Sequence, residues 1–141
     1  MTARPHDPRL LAGIAAGGVV GALGRWGVSA WLPNAHDGAP WGTFAVNVTG
    51  AFAMGLLVAW LAVRPGAHPF VRPVLATGVL GGWTTFSALA LDVHTLTRAS
   101  DAPVAIAYVV VTFVLGVAAC GLGEAAGTRW WPDAPDDEVV T

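Results

Sequence analysis

Inside otherwise apolar stretches, the chain carries a small set of groups able to do chemistry. Arg25 follows Gly13, Gly17 and Gly21 at i, i+4 spacing, on one helical face. Thr43, Asn47 and Gly50 share a second face; Tyr108, Thr112, Gly116 and Cys120 share a third. Gly81-Gly82, Thr84-Thr85 and Phe86-Ser87 fall together in "TGVLGGWTTFSALALD", Thr77 to Asp92. A guanidinium, an amide and hydroxyls are hydrogen-bond donors. The carboxylates nearest to them, Asp92 and Glu124, stand near the ends of their apolar stretches. Donors without deep carboxylates suit an anion and speak against a proton-coupled cation exporter, which needs an acidic residue to carry the exchange. The glycine pair predicts a helix broken at Gly81-Gly82. Carbonyls freed there would be cation ligands, and a new helix N-terminus would attract an anion.

Each group also has a plainer reading. The glycine stripe is a close-packing face between helices. Asn47 alone reads as a hydrogen bond joining two helices, and Thr112 as a hydroxyl bonded back to its own helix. Arg25 either snorkels to a nearby interface or stands as an anion-attracting or interface-fixing charge. A glycine pair can be a simple kink satisfied by threonine side chains.

The elements that must position these groups are set by composition. The chain has 141 residues, 55% hydrophobic and only 11% charged, with net charge −2 and seven arginines but no lysine. A water-soluble domain of this size needs more charge to cover its surface, so the medium is lipid. Four apolar runs are read as spans over 10–32, 41–63, 71–96 and 103–127, each at least the roughly 20 residues that cross a core of about 30 Å. Together they make a four-helix transmembrane domain, 10–127, with a short N-terminal tail, 1–9, and an acidic, disordered C-terminal tail, 128–141. The first run is longer than a signal-peptide core and three more follow, which makes it a mature helix. Trp31, Trp41, Trp60, Trp130 and Trp131 fall at span ends, where indole prefers the interface; Trp26 and Trp83 do not fit that belt. With four spans, Arg4, Arg9, Arg64, Arg72 and Arg129 share one side and Arg98 stands on the other, which predicts a plasma-membrane protein with both termini in the cytoplasm.

Several classes drop out. There is no basic face for nucleic acid. One cysteine, Cys120, forms no intrachain disulfide and no cysteine-cluster metal site. The histidines, His6, His36, His68 and His94, lie in tails, linkers or a span end and read as solvated. Without a nucleophile–base pair or a phosphate loop, the chain does not read as an enzyme.

Three segments together resemble the Fluc (CrcB) family of fluoride channels: "GRWGVSAWL" in the first span, "PWGTFAVNVTGAFAMG" opening the second, and "TGVLGGWTTFSALALD" in the third. The resemblance implies an all-α membrane protein, an antiparallel dual-topology-type dimer with two narrow pores, which passes fluoride passively and exports it from the cytoplasm. It also implies a structural, non-transported Na+ held at the dimer interface by the backbone carbonyls of Gly81 and Thr84. By the same resemblance Asn47 is the pore-facing amide, Arg25 the arginine near the vestibule, and Phe86 the first of two pore phenylalanines. Ser87, Tyr108 and, by a looser match, Thr112 belong to the hydroxyl-bearing lining. The sequence departs from the family pattern at Leu89, where a second phenylalanine is usual, at Ala88 in place of threonine, at Asp92 in place of glutamate, and at the bulky Trp83. The arginine bias and the missing ring together suggest one subunit of a heteromeric pair, with a homodimer as the other arrangement. A non-conducting partner subunit, a small proton-coupled multidrug exporter and a non-transporting scaffold are the alternatives.

Overall fold

The computed structural model describes residues 7–32, 40–99 and 102–131, and every regular element among them is helical. α1 spans Pro8–Trp31 and α2 spans Trp41–Ala62. α3 is a wide, π-wound stretch, Pro73–Leu80, continued by one ordinary turn, Gly81–Trp83. α4 spans Phe86–Arg98 and α5 spans Ala102–Trp130. Taking α3 and α4 together as one interrupted span, four helical units are long and apolar enough to cross a membrane: Pro8–Trp31, Trp41–Ala62, Pro73–Arg98 and Ala102–Trp130.

Local chemistry sets the ends. The Asp7 side chain accepts from the Arg9 N–H at 2.9 Å and Pro8 takes the first helical position, where its missing N–H costs nothing. This cap starts α1 inside what the sequence assigns to a tail, 1–9. At the other end, α5 continues to Trp130, past the predicted boundary at 127, with the Thr128 hydroxyl bonded back to the Ala125 carbonyl and Arg129 in the favourable last turn. Of the acidic tail predicted over 128–141, residues 132–141 lie outside the described residues. Pro73 opens α3, whose wide winding shows where the Gly81 N–H reaches both the Ala76 and Gly78 carbonyls.

Small residues, not large ones, make the core. Gly17, Gly21, Gly50, Gly55, Ala59, Ala119, Gly123 and Gly127 are buried, and Val46 is the one large side chain enclosed almost completely, at 1% exposure. Val19, Val20, Leu23, Ile106, Val117 and Leu122 point outward instead. That is the arrangement of a protein in lipid, where backbone approach rather than expulsion of oil from water binds helices together. The glycine stripe Gly13, Gly17, Gly21 lies on α3. A β-carbon at Gly17 would stand 2.9 Å from the Val74 carbonyl oxygen, and one at Gly78 would stand 2.8 Å from that of Ile14. On the other side of the bundle Gly55 meets the Cys120 carbonyl and Gly123 meets the Phe52 carbonyl, again with no room for a side chain. The contacts Gly13–Val74, Gly21–Val79 and Gly24–Trp83 advance together along α1 and α3, and Phe52–Gly123 and Ala59–Gly127 along α2 and α5. Each pair therefore runs parallel.

The packing makes Gly78→Val a sharp test. The valine would have to displace α1 backbone, and overpacking of a tight contact costs about 1–3 kcal/mol. The variant is expected to melt several degrees lower in detergent than the parent, whereas Gly116→Ala, where a β-carbon meets open space, is expected to melt within a degree or so. Equal melting of both variants would contradict the α1–α3 contact.

Candidate functional site

The third span is interrupted, but not at the glycines. Gly81 keeps helical angles, φ −65°, ψ −32°. The chain leaves the helix at Thr84 (φ −79°, ψ 160°) and Thr85 (φ −151°, ψ 123°), then re-enters it at Phe86. The expected break at Gly81-Gly82 is thus displaced by three residues. The reason is the supply of partners. Asn47, on α2, takes both backbone groups of Thr85: its Nδ2 donates to the Thr85 carbonyl at 3.0 Å, and its Oδ1 accepts from the Thr85 N–H at 2.8 Å. Thr85 also caps α4, its Oγ1 accepting from the Ala88 N–H at 3.2 Å. Thr84 closes the end of α3, its N–H and its hydroxyl both donating to the Leu80 carbonyl, at 3.0 and 2.9 Å. Two residues of extended chain at membrane depth are tolerated because such partners exist.

The neighbours of the break are held as firmly. Arg25 neither stands alone nor simply reaches outward: its Nε donates to the Gly82 carbonyl at 3.1 Å, and the residue is half-buried. That carbonyl has lost its usual donor four residues on, because Phe86 belongs to the next helix. The Trp83 indole N–H donates to Thr49 Oγ1 at 3.1 Å, and Thr49 in turn donates to the Ala45 carbonyl at 2.6 Å.

These diversions take the ordinary helical donors away from specific oxygens. The ordinary helical donor to the Gly81 carbonyl is the Thr85 N–H, now held by Asn47. The ordinary donor to the Thr84 carbonyl is the Ala88 N–H, now held by Thr85 Oγ1. Gly81 and Thr84 both line a groove of about 520 Å³ that runs between α2, α3, α4 and α5, past Asn47, Phe86, Leu89 and Thr112. Among the described residues no group of three or more His, Cys, Asp or Glu side chains gathers to hold a metal. Any cation here would be held by neutral oxygens.

Of the residues singled out from the sequence, the structure gathers Asn47, Gly81, Thr84, Phe86 and Thr112 on this groove. Phe86 opens α4 and is 74% exposed. Ser87 is exposed beside it, its hydroxyl 3.2 Å from that of Thr85. Thr112 lies across from them on α5, 6% exposed; its hydroxyl makes no close hydrogen bond and interacts with that of Tyr108. The bonding back to its own helix that a threonine commonly makes is absent here. Tyr108 stands one turn away, its hydroxyl donating to Asp92 Oδ2 on α4 at 3.3 Å. Arg25 and the stripe Gly13, Gly17, Gly21 sit apart from the groove, on the α1–α3 side.

Two contributors lie beyond the sequence reading. Asp92 is read there as a span-end carboxylate in place of a glutamate, with no partner assigned, yet it receives Tyr108 sixteen residues on. Thr49 has no evident role until it takes the Trp83 N–H; the available signal is that Trp83 falls outside the aromatic belt, so its N–H needs an internal partner.

A family described as "CrcB-like protein, Camphor Resistance (CrcB)" matches residues 12–124, which cover most of every spanning helix and the whole of the break. The chain belongs to the CrcB family. It is 40% identical over 126 residues to a protein of Nocardia farcinica (strain IFM 10152) named fluoride-specific ion channel FluC 2, a match covering 89% of each chain. It is 45% identical over 114 residues to the fluoride-specific ion channel FluC of Paracoccus denitrificans (strain Pd 1222), covering 81% of this chain and 90% of that one. A third relative of the same name, from Hyphomonas neptunium (strain ATCC 15444), is 46% identical over 112 residues, covering 78% and 88%. As a CrcB protein the chain is a multi-pass membrane protein of an ion-channel family, not an enzyme.

The Asn47 clamp gives a measurable expectation. Asn47→Ala strands the Thr85 N–H and carbonyl, at about 1–3 kcal/mol for each buried backbone group left unpaired. Its melting temperature in detergent is expected to fall clearly below that of Ser87→Ala, whose hydroxyl is exposed. A variant as stable as the parent would show that the amide does not hold the break.

Proposed function

We propose that this chain forms a passive, selective fluoride channel, which lets F⁻ leave the cytoplasm and so limits its toxicity. The observation that carries the reading is the combination of a buried hydroxyl and an exposed ring on one groove: Thr112, whose Oγ1 makes no close hydrogen bond, lines the same space as Phe86. Names borne by relatives at 40–46% identity supply the anion. Fluoride is small and tightly hydrated, so its passage needs donors that replace water. Asn47, Ser87 and Thr112 bring amide and hydroxyl donors to the path, with Tyr108, whose hydroxyl hydrogen goes to Asp92, one turn beyond Thr112. The Phe86 ring brings the positive edge of its quadrupole. Arg25, fixed at Gly82 through Nε, keeps its remaining guanidinium N–H groups and its charge for attracting the anion.

The working unit in this reading is an antiparallel dimer, two copies or this chain with a related subunit, in a plasma membrane with the termini in the cytoplasm. The groove is open along one side in the single chain, and a second, inverted subunit would close it. The residues present fit a structural Na+ at that junction. The Gly81 and Thr84 carbonyls have lost their helical donors to Asn47 and Thr85, and neutral carbonyl oxygens are hard ligands able to replace sodium's hydration shell. One chain offers two such oxygens and its inverted partner two more. Bound there, the ion would supply charge and cross-linking at the interface; the path of the anion is lined by the chain's own donors.

Leu89 favours a second form of the same reading. It takes the place of a ring on the groove wall, so a partner carrying that ring would complete a pore that two copies of this chain would leave short of it. Liposomes containing the purified protein, read with a fluoride electrode, test both forms. Fluoride efflux without chloride efflux is expected, and Phe86→Ile is expected to slow it by about tenfold or more, roughly the rate change of 1.4 kcal/mol on a barrier, with unchanged melting because the ring is exposed. Robust flux from the lone chain would count against the heteromeric form. Drug–proton exchange without fluoride release would overturn the channel reading.

A further inference from the structure

A second cavity, about 380 Å³, lies at the other functional extreme of the molecule, in the linker between α2 and α3, and has no part in the groove. It is lined by Trp60, Arg64, Gly66, Ala67, His68 and Val71. The linker is folded, not loose: the Ala67 N–H closes a turn on the Arg64 carbonyl and the Val71 N–H another on that of His68, both at 2.9 Å. Pro65 and Gly66 occupy the centre of the first turn, where both residue types favour it. The Arg64 guanidinium lies over the Trp60 ring, 4.7 Å from its centroid. His68 Nδ1 accepts from the Phe70 N–H at 3.2 Å, and the ring packs edge-on against Phe70 at 4.9 Å between centroids. In the neutral ring the remaining nitrogen, Nε2, then carries the hydrogen and is a donor.

The cavity is therefore rich in donors and poor in acceptors. Residues 63–73 contain no carboxylate, and among the described residues none pairs with Arg64. Stacking fixes the plane of the guanidinium and leaves its N–H edge for a bidentate acceptor, a geometry that phosphate matches and that lysine does not reproduce. The location narrows the source. Trp60 sits in the last turn of a spanning helix that ends at Ala62, and the next span begins at Pro73. The cavity thus opens at headgroup level, where an indole is at home and anionic lipid is the abundant phosphate. We propose that the α2–α3 linker is a binding site for the phosphate of an anionic phospholipid headgroup, with Arg64 as its fork, His68 Nε2–H as its second donor and Trp60 as the plate that orients the arginine.

The site is independent of conduction and stands whether or not fluoride passes the groove. Its test is retention of lipid by the full-length protein in mild detergent, read by native mass spectrometry and by the melting temperature. Phosphatidylglycerol is expected to stay bound and to raise the melting temperature, and phosphatidylcholine to do so at least about tenfold more weakly. Arg64→Gln should reduce retention of phosphatidylglycerol about tenfold, and Arg64→Lys should reduce it nearly as much because the charge survives but the fork does not. His68→Phe, which keeps the ring against Phe70 and removes the donor, should weaken it a few-fold. Arg72→Gln, exposed and outside the cavity, should leave it unchanged. Equal retention by the parent and Arg64→Gln would overturn the site. So would a loss in Arg72→Gln as large as in Arg64→Gln, which would mean general charge attraction. Millimolar inorganic phosphate matching the lipid's effect would overturn the lipid assignment in favour of a free anion.

Discussion

Every backbone polar group inside lipid must have a partner, and the interruption at Thr84-Thr85 places two residues of extended chain under that demand. The reciprocal pair between the Asn47 amide and the Thr85 backbone answers it. A primary amide presents the same donor and acceptor as a peptide group, so Asn47 substitutes for the neighbouring strand that extended backbone would otherwise need. The remaining arrangement follows. Since the Thr85 N–H goes to Asn47 and the Ala88 N–H goes to Thr85 Oγ1, the Gly81 and Thr84 carbonyls lose their ordinary helical donors. Since α4 starts afresh at Phe86, its first side chain leaves the helix axis of α3 and stands on the groove. Arg25 then covers the Gly82 carbonyl.

Such a break needs neighbours close enough to serve it, and the small residues of the core provide that closeness. Dispersion between backbones at contact is weak per atom pair and large in sum, and it replaces the hydrophobic drive that lipid cannot supply. Gly17 against Gly78, and Gly55 and Gly123 against backbone carbonyls, bring α1 onto α3 and α2 onto α5 with no side chain between. The guanidinium of Arg25 reaches the third span because α1 lies that near, and the amide of Asn47 because Gly50, on the same face of α2, leaves no side chain against Thr84 and Trp83. The close-packed stripes and the polar bridges are thus one construction.

The spans were legible in the sequence because hydropathy is a property of long runs, and single errors do not disturb it. The ends moved by a few residues where a cap or a last-turn arginine extends a helix, as at Asp7 and Arg129. The break was legible in kind but misplaced in position. Glycine marks intrinsic weakness, yet glycines pack well in a tight helix pair, and Gly81 and Gly82 remain helical. The helix parts where a side chain 38 residues away can take over its bonds, and a pattern confined to one segment does not carry that information. The same holds for the contact of Tyr108 with Asp92 and of Trp83 with Thr49. The residues of the groove were readable as polar groups in apolar helices; which hydroxyl makes no close hydrogen bond was readable only from packing, since Thr112 by itself is satisfied by bonding to its own helix as often as not.

Two of the departures in the third span, Trp83 and Leu89, have different physical characters. Trp83 is large, but its ring is seated where both neighbours have no side chain: a β-carbon at Gly24 would stand 2.7 Å from it and one at Gly50 3.0 Å. Its N–H is bonded to Thr49. The bulk is therefore matched by its surroundings, and it braces the turn just before the break between α1 and α2. Leu89 is matched in packing and not in chemistry. It lies three residues after Phe86, on the same face of α4, but is 6% exposed where Phe86 is 74%. A leucine fills the wall as well as a ring would and keeps its neighbours in contact, so folding places no demand on that position for an aromatic residue. What it gives up is the electropositive ring edge. Phe86 is left as the only phenyl ring on α4, and the other ring that the chain brings to the groove, Phe113, comes from α5, beside Thr112.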